Sequence, residues 1–235
     1  MKTAAILLAG GSGRRMAGAL PDKVLAPAAG RPVIARSLAA LADSGCIDFL
    51  VIAHRDDAQR RDIEPWLEKT GWSPASAAWT RGGAERHDSV SAGFAAIPDS
   101  IETVLIHDAA RPLIRPGQIR ELTDLVNRHG AAALCHAVVD TIKELPEAGA
   151  ADPVFLRGLD RRRLRAMETP QGFQRDLLAR MVAFVAEHRL AVTDDAAACE
   201  ALGHPVALLE NPHPNPKLTT PDDLALIEFL LHHVS

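Results

Sequence analysis

The sequence predicts an α/β fold, in which buried strands alternate with amphipathic helices. Three observations carry this prediction. Residues 4–8 form an uncharged apolar run, as strands covered on both faces do, and pass directly into the turn Ala9-Gly10-Gly11-Ser12-Gly13. Comparable runs recur at 48–53 and 103–106, each leading into a turn that carries charge. Between the first two lies a stretch in which Val33, Ile34, Leu38 and Leu41 share one helical face.

Taken in order, the first strand ends in a turn whose Gly10, Gly11 and Gly13 lack Cβ atoms, leaving backbone N–H groups open to an anion that Arg14 and Arg15 would face. The alternative is an ordinary strand-to-helix turn with solvated arginines. Two familiar phosphate motifs do not fit. The dinucleotide fingerprint, counted from Gly11, needs a third glycine where Met16 stands, and no Gly-Lys-Ser/Thr closes the turn as a Walker loop requires. Lys23 follows in the proline-bounded segment 21–27 and, on the residues alone, reads as a surface lysine. Arg31-Pro32 opens a helix over 33–44, which Gly45 is placed to end. A strand over 48–53 precedes a charged helix over 56–69.

Residues 79–90 repeat the opening logic of glycines, then charge, then a helix, with Asp88 or Ser89 as the cap of a helix over 90–97. The strand 103–106 runs into His107-Asp108-Ala109-Ala110-Arg111-Pro112. A carboxylate at the C-terminal end of such a strand stands where open α/β sheets bind ligands, and carboxylates there hold Mg²⁺ beside nucleotide phosphates. Asp108 and Arg111 pairing with each other is the competing reading. A helix over 117–128 and a strand over 131–139 follow.

The rhythm then breaks. Residues 140–165 are rich in Pro, Gly and Arg, with extended pieces at 141–145 and 154–157, which reads as a β-hairpin arm leaving the core. Arg161-Arg162-Arg163 is by default a solvated cluster; if the arm packs on another subunit, it carries a cation into that neighbour's site. Glu168-Thr169-Pro170-Gln171-Gly172-Phe173 returns the chain to the core. A helix over 176–188, a capped helix start at Thr193-Asp194-Asp195, a strand over 205–209 and a helix over 224–232 capped by Thr220-Pro221-Asp222-Asp223 complete the pattern.

The 235 residues suit one domain spanning 1–235 with an arm at about 140–163, and 47% hydrophobic residues supply its core. A net charge of −4 argues against a general nucleic-acid surface. Nothing approaches the roughly twenty consecutive apolar residues of a membrane span. The three cysteines, Cys46, Cys135 and Cys199, have no metal-type spacing and suit a reducing cytoplasm. The ten histidines show no ligand spacing either.

The ordered set 9–16, Lys23, Gly82–Arg86, Ser89-Val90, His107–Pro112, Asp140-Thr141, Asp160-Arg161, Thr169-Pro170-Gln171, Thr193-Asp194 and Pro216-Lys217-Leu218-Thr219 resembles the 2-C-methyl-D-erythritol 4-phosphate cytidylyltransferase family. The resemblance runs from Ala4 to the C-terminal helix. It implies a Rossmann-like, mostly parallel twisted sheet flanked by helices, with a protruding β-arm for dimerisation. It implies transfer of the cytidylyl group of CTP to a sugar-alcohol phosphate with release of pyrophosphate, assisted by Mg²⁺. By the same likeness Arg15, Lys23, Arg161 and Lys217 are catalytic, and Asp108 binds both metal and substrate. Ala9, Gly10, Gly11, Gly13, Gly83 and Ser89 hold the nucleotide, while Arg111, Thr141 and Thr169 lie on the acceptor side. The arm would make a homodimer and lend Arg161 across it. Ala84 stands where relatives often carry an acidic residue, and Asp22-Lys23-Val24 where they read Pro-Lys-Gln. Some relatives are fused to a cyclodiphosphate synthase, for which a chain of 235 residues leaves no room. A ribitol-5-phosphate cytidylyltransferase and a silent nucleotide-binding regulator are the alternatives.

Overall fold

A computed structural model describes residues 1–11, 22–149 and 153–233. The central sheet has the order β11-β7-β10-β6-β1-β4-β5, built from β1 (Thr3–Leu8), β4 (Phe49–His54), β5 (Ala77–Arg81), β6 (Thr103–Asp108), β7 (Ala131–Ala137), β10 (Arg165–Gln174) and β11 (Ala207–Glu210). A two-stranded ribbon of β2 (Pro27–Ala28) and β3 (Arg31–Pro32) precedes the first helix. β10 runs antiparallel to both neighbours, and the remaining pairings of the central sheet are parallel.

Alternate residues of β1 feed opposite cores, as a period of two requires. Ala5 and Leu7 face the layer of α1 (Val33–Asp43), α2 (Asp57–Lys69), α4 (Pro116–His129) and α7 (Pro221–His233), packing with Leu38, Ile63, Ile119 and Ile227. Ala4 and Ile6 face α3 (Arg86–Ala95), α5 (Arg175–His188) and α6 (Asp195–Ala201), packing with Val90, Leu178 and Met181. Burial on both faces explains why the strands read as unbroken apolar runs.

Local chemistry sets the helix ends. Pro116 opens α4, and Gly130, at φ +84°, follows its last turn. Asp56 and Asp194 cap α2 and α6 by accepting from the Gln59 and Ala197 amides, respectively. Asp223 accepts from the Thr219 and Thr220 amides at the start of α7.

Several expectations change. The helix expected over 90–97 begins at Arg86, because Asp88 lies inside its first turn and accepts from the Glu85 amide at 3.0 Å. The strand expected over 103–106 continues to Asp108, whereas that over 131–139 stops at Ala137. β5 and β10 were not foreseen as strands. β10 carries Glu168, Thr169, Pro170, Gln171 and Gly172, which show no apolar alternation, and the Thr169–Pro170 bond is cis. The arm is a hairpin of β8 (Lys143–Glu144) and β9 (Arg157–Gly158), shorter than the extended pieces expected.

Candidate active site

β1 and β6 are adjacent and in register, so Leu8 pairs with Asp108. The chain leaves β1 for β4 and β5 on one side and then crosses to β6 on the other, so this is the switch point where open sheets leave a crevice. The Ala109 amide donates to the Leu8 carbonyl at 3.1 Å, joining the turns that follow the two strands at their roots.

Two glycine turns converge beside this point. The Gly82 amide donates to the His54 carbonyl at 2.8 Å, and a Cβ on Gly10 would stand 3.3 Å from the His54 carbonyl carbon. The backbones at 10 and 82 therefore approach closely over the end of β4. Gly83 is required by packing: a Cβ there would stand 2.1 Å from Asp88 Cβ. Its amide donates to Ser89 Oγ at 3.0 Å, so Ser89 shapes this turn. Ala9 is buried and contributes backbone only, with its amide on the Ala53 carbonyl. Gly10, Gly11, Gly83 and Ser89 stay accessible or partly so.

Lys23 returns to the first turn, its Nζ 3.8 Å from where a Gly11 Cβ would be. Gln59 ties these pieces together, donating to the Ala9 carbonyl at 3.1 Å and to Asp22 at 2.7 Å, and Asp22 also pairs with Arg55 at 3.0 Å. Gly13 and Arg15, with Arg14, lie outside the described residues.

The charged centre is a row of alternating sign: Lys217, Asp108, Arg86, Asp195. Lys217 Nζ meets Asp108 Oδ2 at 2.6 Å, Arg86 meets the other Asp108 oxygen at 2.5 Å, and the far side of its guanidinium meets Asp195 at 2.8 Å. Both carboxylate side chains are 8% exposed. Burial alone would raise the Asp108 carboxyl, but Arg86 and Lys217 outweigh it and hold it well below the usual carboxylate range. Asp195 goes the other way: burial lifts it, and Arg86 offsets this only in part. Asp108 is thus the firm anion of the cluster.

Behind Asp108 lies a buried support. Thr169 Oγ1 accepts from the Asp108 amide at 3.0 Å and meets His107 Nδ1 at 3.1 Å. His107 Nε2 faces the Arg111 carbonyl at 3.3 Å, which only accepts. The neutral ring therefore carries its proton on Nε2, and Nδ1 accepts from the Thr169 hydroxyl. Thr169 is 4% exposed and orients Asp108 from beneath. Arg111 is clasped by the Asn215 carbonyl at 2.7 Å, while its buried Nε has no hydrogen-bond partner among the described residues.

Burial lowers the His107 pKa from 6.5 to about 4. The folded state then resists a proton that the unfolded chain takes up, so the stabilisation is full above pH 6.5 and lost as pH falls towards 4. At full strength it amounts to about 3 kcal/mol. His107→Gln is expected to flatten the pH dependence of the guanidinium midpoint across this window; an unchanged slope would count against the assignment.

The remaining expected residues stand apart. Thr141 is exposed, and Arg161, also exposed, donates to the Val139 carbonyl on the arm rather than meeting Asp108. Arg86 and Asp195 were not singled out as site residues. Asp195 had one signal, a second carboxylate beside the capping Asp194. A cleft of about 610 Å³ opens between α3 and α5, lined by Arg86, Asp195, Leu178 and Met181 but by neither Asp108 nor Lys217. Among the described residues no three potential metal-ligating side chains group together.

Known proteins share the sequence pattern and the fold. The family model described as IspD, 2-C-methyl-D-erythritol 4-phosphate cytidylyltransferase, matches residues 3–233. A 2-C-methyl-D-erythritol 4-phosphate cytidylyltransferase of Synechococcus elongatus is 38% identical over 226 residues, covering 96% of this chain and 94% of that protein. The crystal structure of the enzyme of that name from Thermus thermophilus superposes with a TM-score of 0.76 at 29% identity, covering 99% of this chain and 100% of that one. At 23% identity, a 4-diphosphocytidyl-2C-methyl-D-erythritol synthase from Anaerococcus prevotii shares the fold, with a TM-score of 0.85 and coverage of 99% and 96%.

Proposed function

The chain belongs to the 2-C-methyl-D-erythritol 4-phosphate cytidylyltransferase family, and we propose that it joins CTP to 2-C-methyl-D-erythritol 4-phosphate, releasing pyrophosphate and forming 4-diphosphocytidyl-2-C-methyl-D-erythritol. The observation that carries this reading is the Lys217–Asp108–Arg86 row at the switch point, beside two converging glycine turns. A phosphate oxygen of the acceptor attacks the α-phosphorus of CTP, and the bond to the bridging oxygen breaks as pyrophosphate leaves. The substrate supplies the nucleophile, so the protein needs to align two anions and neutralise charge that develops between them.

The cations divide this work. Lys23, beside Gly11, faces the triphosphate, and Arg15, which lies outside the described residues, is assigned the same charge-neutralising role by its place in the ordered motif. Lys217 lies on the acceptor side of Asp108, with Arg111 and Thr169 holding that wall. The turn at Gly82-Gly83, shaped by Ser89, receives the cytosine through backbone groups. Asp108 is the carboxylate that would hold Mg²⁺. It fits this role because it stays ionised, and magnesium commonly takes one or two carboxylates together with waters and phosphate oxygens. The cation would supply charge neutralisation on the phosphates.

The chain acts as one domain. A homodimer through the arm is supported by apolar side chains that water otherwise meets, Phe155 at 98% exposure and Val139 at 77%. In that dimer Arg161 and Thr141 serve the neighbour's acceptor site. Among the described residues no helix is long and apolar enough to cross a membrane.

Pyrophosphate release from CTP tests the reading directly. Turnover is expected with methylerythritol phosphate and Mg²⁺ and is expected to disappear with a chelator. Turnover with ribitol 5-phosphate alone would overturn the acceptor; binding of CTP with no turnover on either would leave a silent regulator.

A further inference from the structure

Outside the Asp108 row a second buried polar cluster centres on Glu168, which is 2% exposed. Its Oε2 accepts from Asn211 Nδ2 at 2.9 Å and from Asn215 Nδ2 at 2.8 Å, and its Oε1 meets His136 Nδ1 at 2.6 Å. The amide orientations are set by their other partners. Asn211 Oδ1 accepts from Gln118 and from the His213 amide, and Asn215 Nδ2 also reaches the Thr169 carbonyl. One carboxylate oxygen of β10 therefore holds both ends of the segment 211–215.

That segment delivers Lys217. Its anchors are the Asn211 amide on the Cys135 carbonyl, the Asn215 carbonyl under Arg111, and the Leu218 amide on the Ala110 carbonyl. Lys217 lies between the second and third. Leaving a buried carboxylate beneath a loop is costly unless its oxygens are occupied, and here the strap occupies Oε2 while His136 of β7 takes Oε1.

We propose that Glu168 is a positioning residue, which holds the strap 211–217 so that the Lys217 ammonium reaches the Asp108 site. The proposal rests on the reading of Lys217 as a working cation. Displacing a reacting contact by about 1 Å costs on the order of 10²-fold in rate, so loss of the staple should be felt in catalysis.

A double-mutant cycle tests it in the full chain. Glu168→Ala is expected to lower kcat/KM about 10- to 100-fold, and Glu168→Gln, whose amide oxygen still accepts from both asparagines, to stay within about 3-fold of the parent. In a Lys217→Ala background, Glu168→Ala should add less than about 2-fold, since a residue acting through Lys217 has nothing left to position. The same factor in both backgrounds overturns the proposal. Full activity of Lys217→Ala alone overturns instead the assignment of Lys217. Amide exchange at Asn211, His213 and Leu218 reads the staple without activity: it should accelerate at least about 10-fold in Glu168→Ala and not in Glu168→Gln, and unchanged exchange refutes it. Should Glu168→Ala not fold, Asn215→Ala removes one arm and is judged by the same cycle.

Discussion

Asp108→Asn is expected to lower kcat by about 10²- to 10³-fold, the scale of removing one pre-organised charge contact from a reacting centre. The substitution keeps the volume but not the charge. Asn accepts at one atom and donates at the other, so it cannot face Arg86 and Lys217 together as the carboxylate does at 2.5 and 2.6 Å. The group proposed to hold Mg²⁺ is lost at the same time. Arg86 retains Asp195, so the fold should survive with a lowered midpoint. The measurement is pyrophosphate release at saturating CTP and acceptor, well below the melting temperature. A kcat within about 3-fold of the parent would remove Asp108 from the reacting centre.

Arg86→Met is expected to carry the largest cost in stability, about 3–5 kcal/mol. Its guanidinium is the cation shared by two carboxylates whose side chains are 8% exposed. Methionine fills much of the volume and leaves Asp195 without its cation in a buried site. For a chain of this size the melting midpoint should fall by roughly 2–4 °C per kcal/mol. The sign of the pH response should also change. In the parent, the Asp108 carboxyl is held low, so its stabilisation is present at neutral pH and lost as pH falls. In the variant, Asp195 is already lifted by burial and loses the Arg86 charge that opposed it. A carboxyl held above its unfolded pKa stabilises the fold when protonated, so the variant should gain stability relative to the parent as pH falls below neutrality. Adding Asp195→Asn should recover part of the loss. A loss under about 1 kcal/mol would show that the row is not a buried ion-pair network.

How readily each residue could be recognised follows from how locally its reason is written. β1, β4 and β6 were legible because a strand covered on both faces excludes charge from all but its ends. Asp108 was legible because it ends such a run. β10 was not, since Glu168, Thr169 and Gln171 are buried polar residues whose partners, such as His136, Asn215 and Asp194, lie elsewhere in the chain. The start of α3 was misplaced by the capping chemistry: Asp88 works inside the first turn, whereas the expectation used it as the boundary.

By itself the sequence determined the α/β class, the glycine turn at Gly10 and Gly11, and the ordered motifs that mark the family, because strand burial, tight turns and helix caps act over a few neighbouring residues. Only the tertiary structure decided that Arg86, from one glycine turn, and Lys217, from a proline-rich strap, share one carboxylate. It also decided that Thr169 lies beneath that carboxylate and that Glu168 lies beneath the strap. Asp108 is 22 residues from Arg86 and 109 from Lys217. At such separations no periodicity links the partners, and their energies exist only once the sheet has brought the strand ends together and excluded water from between them.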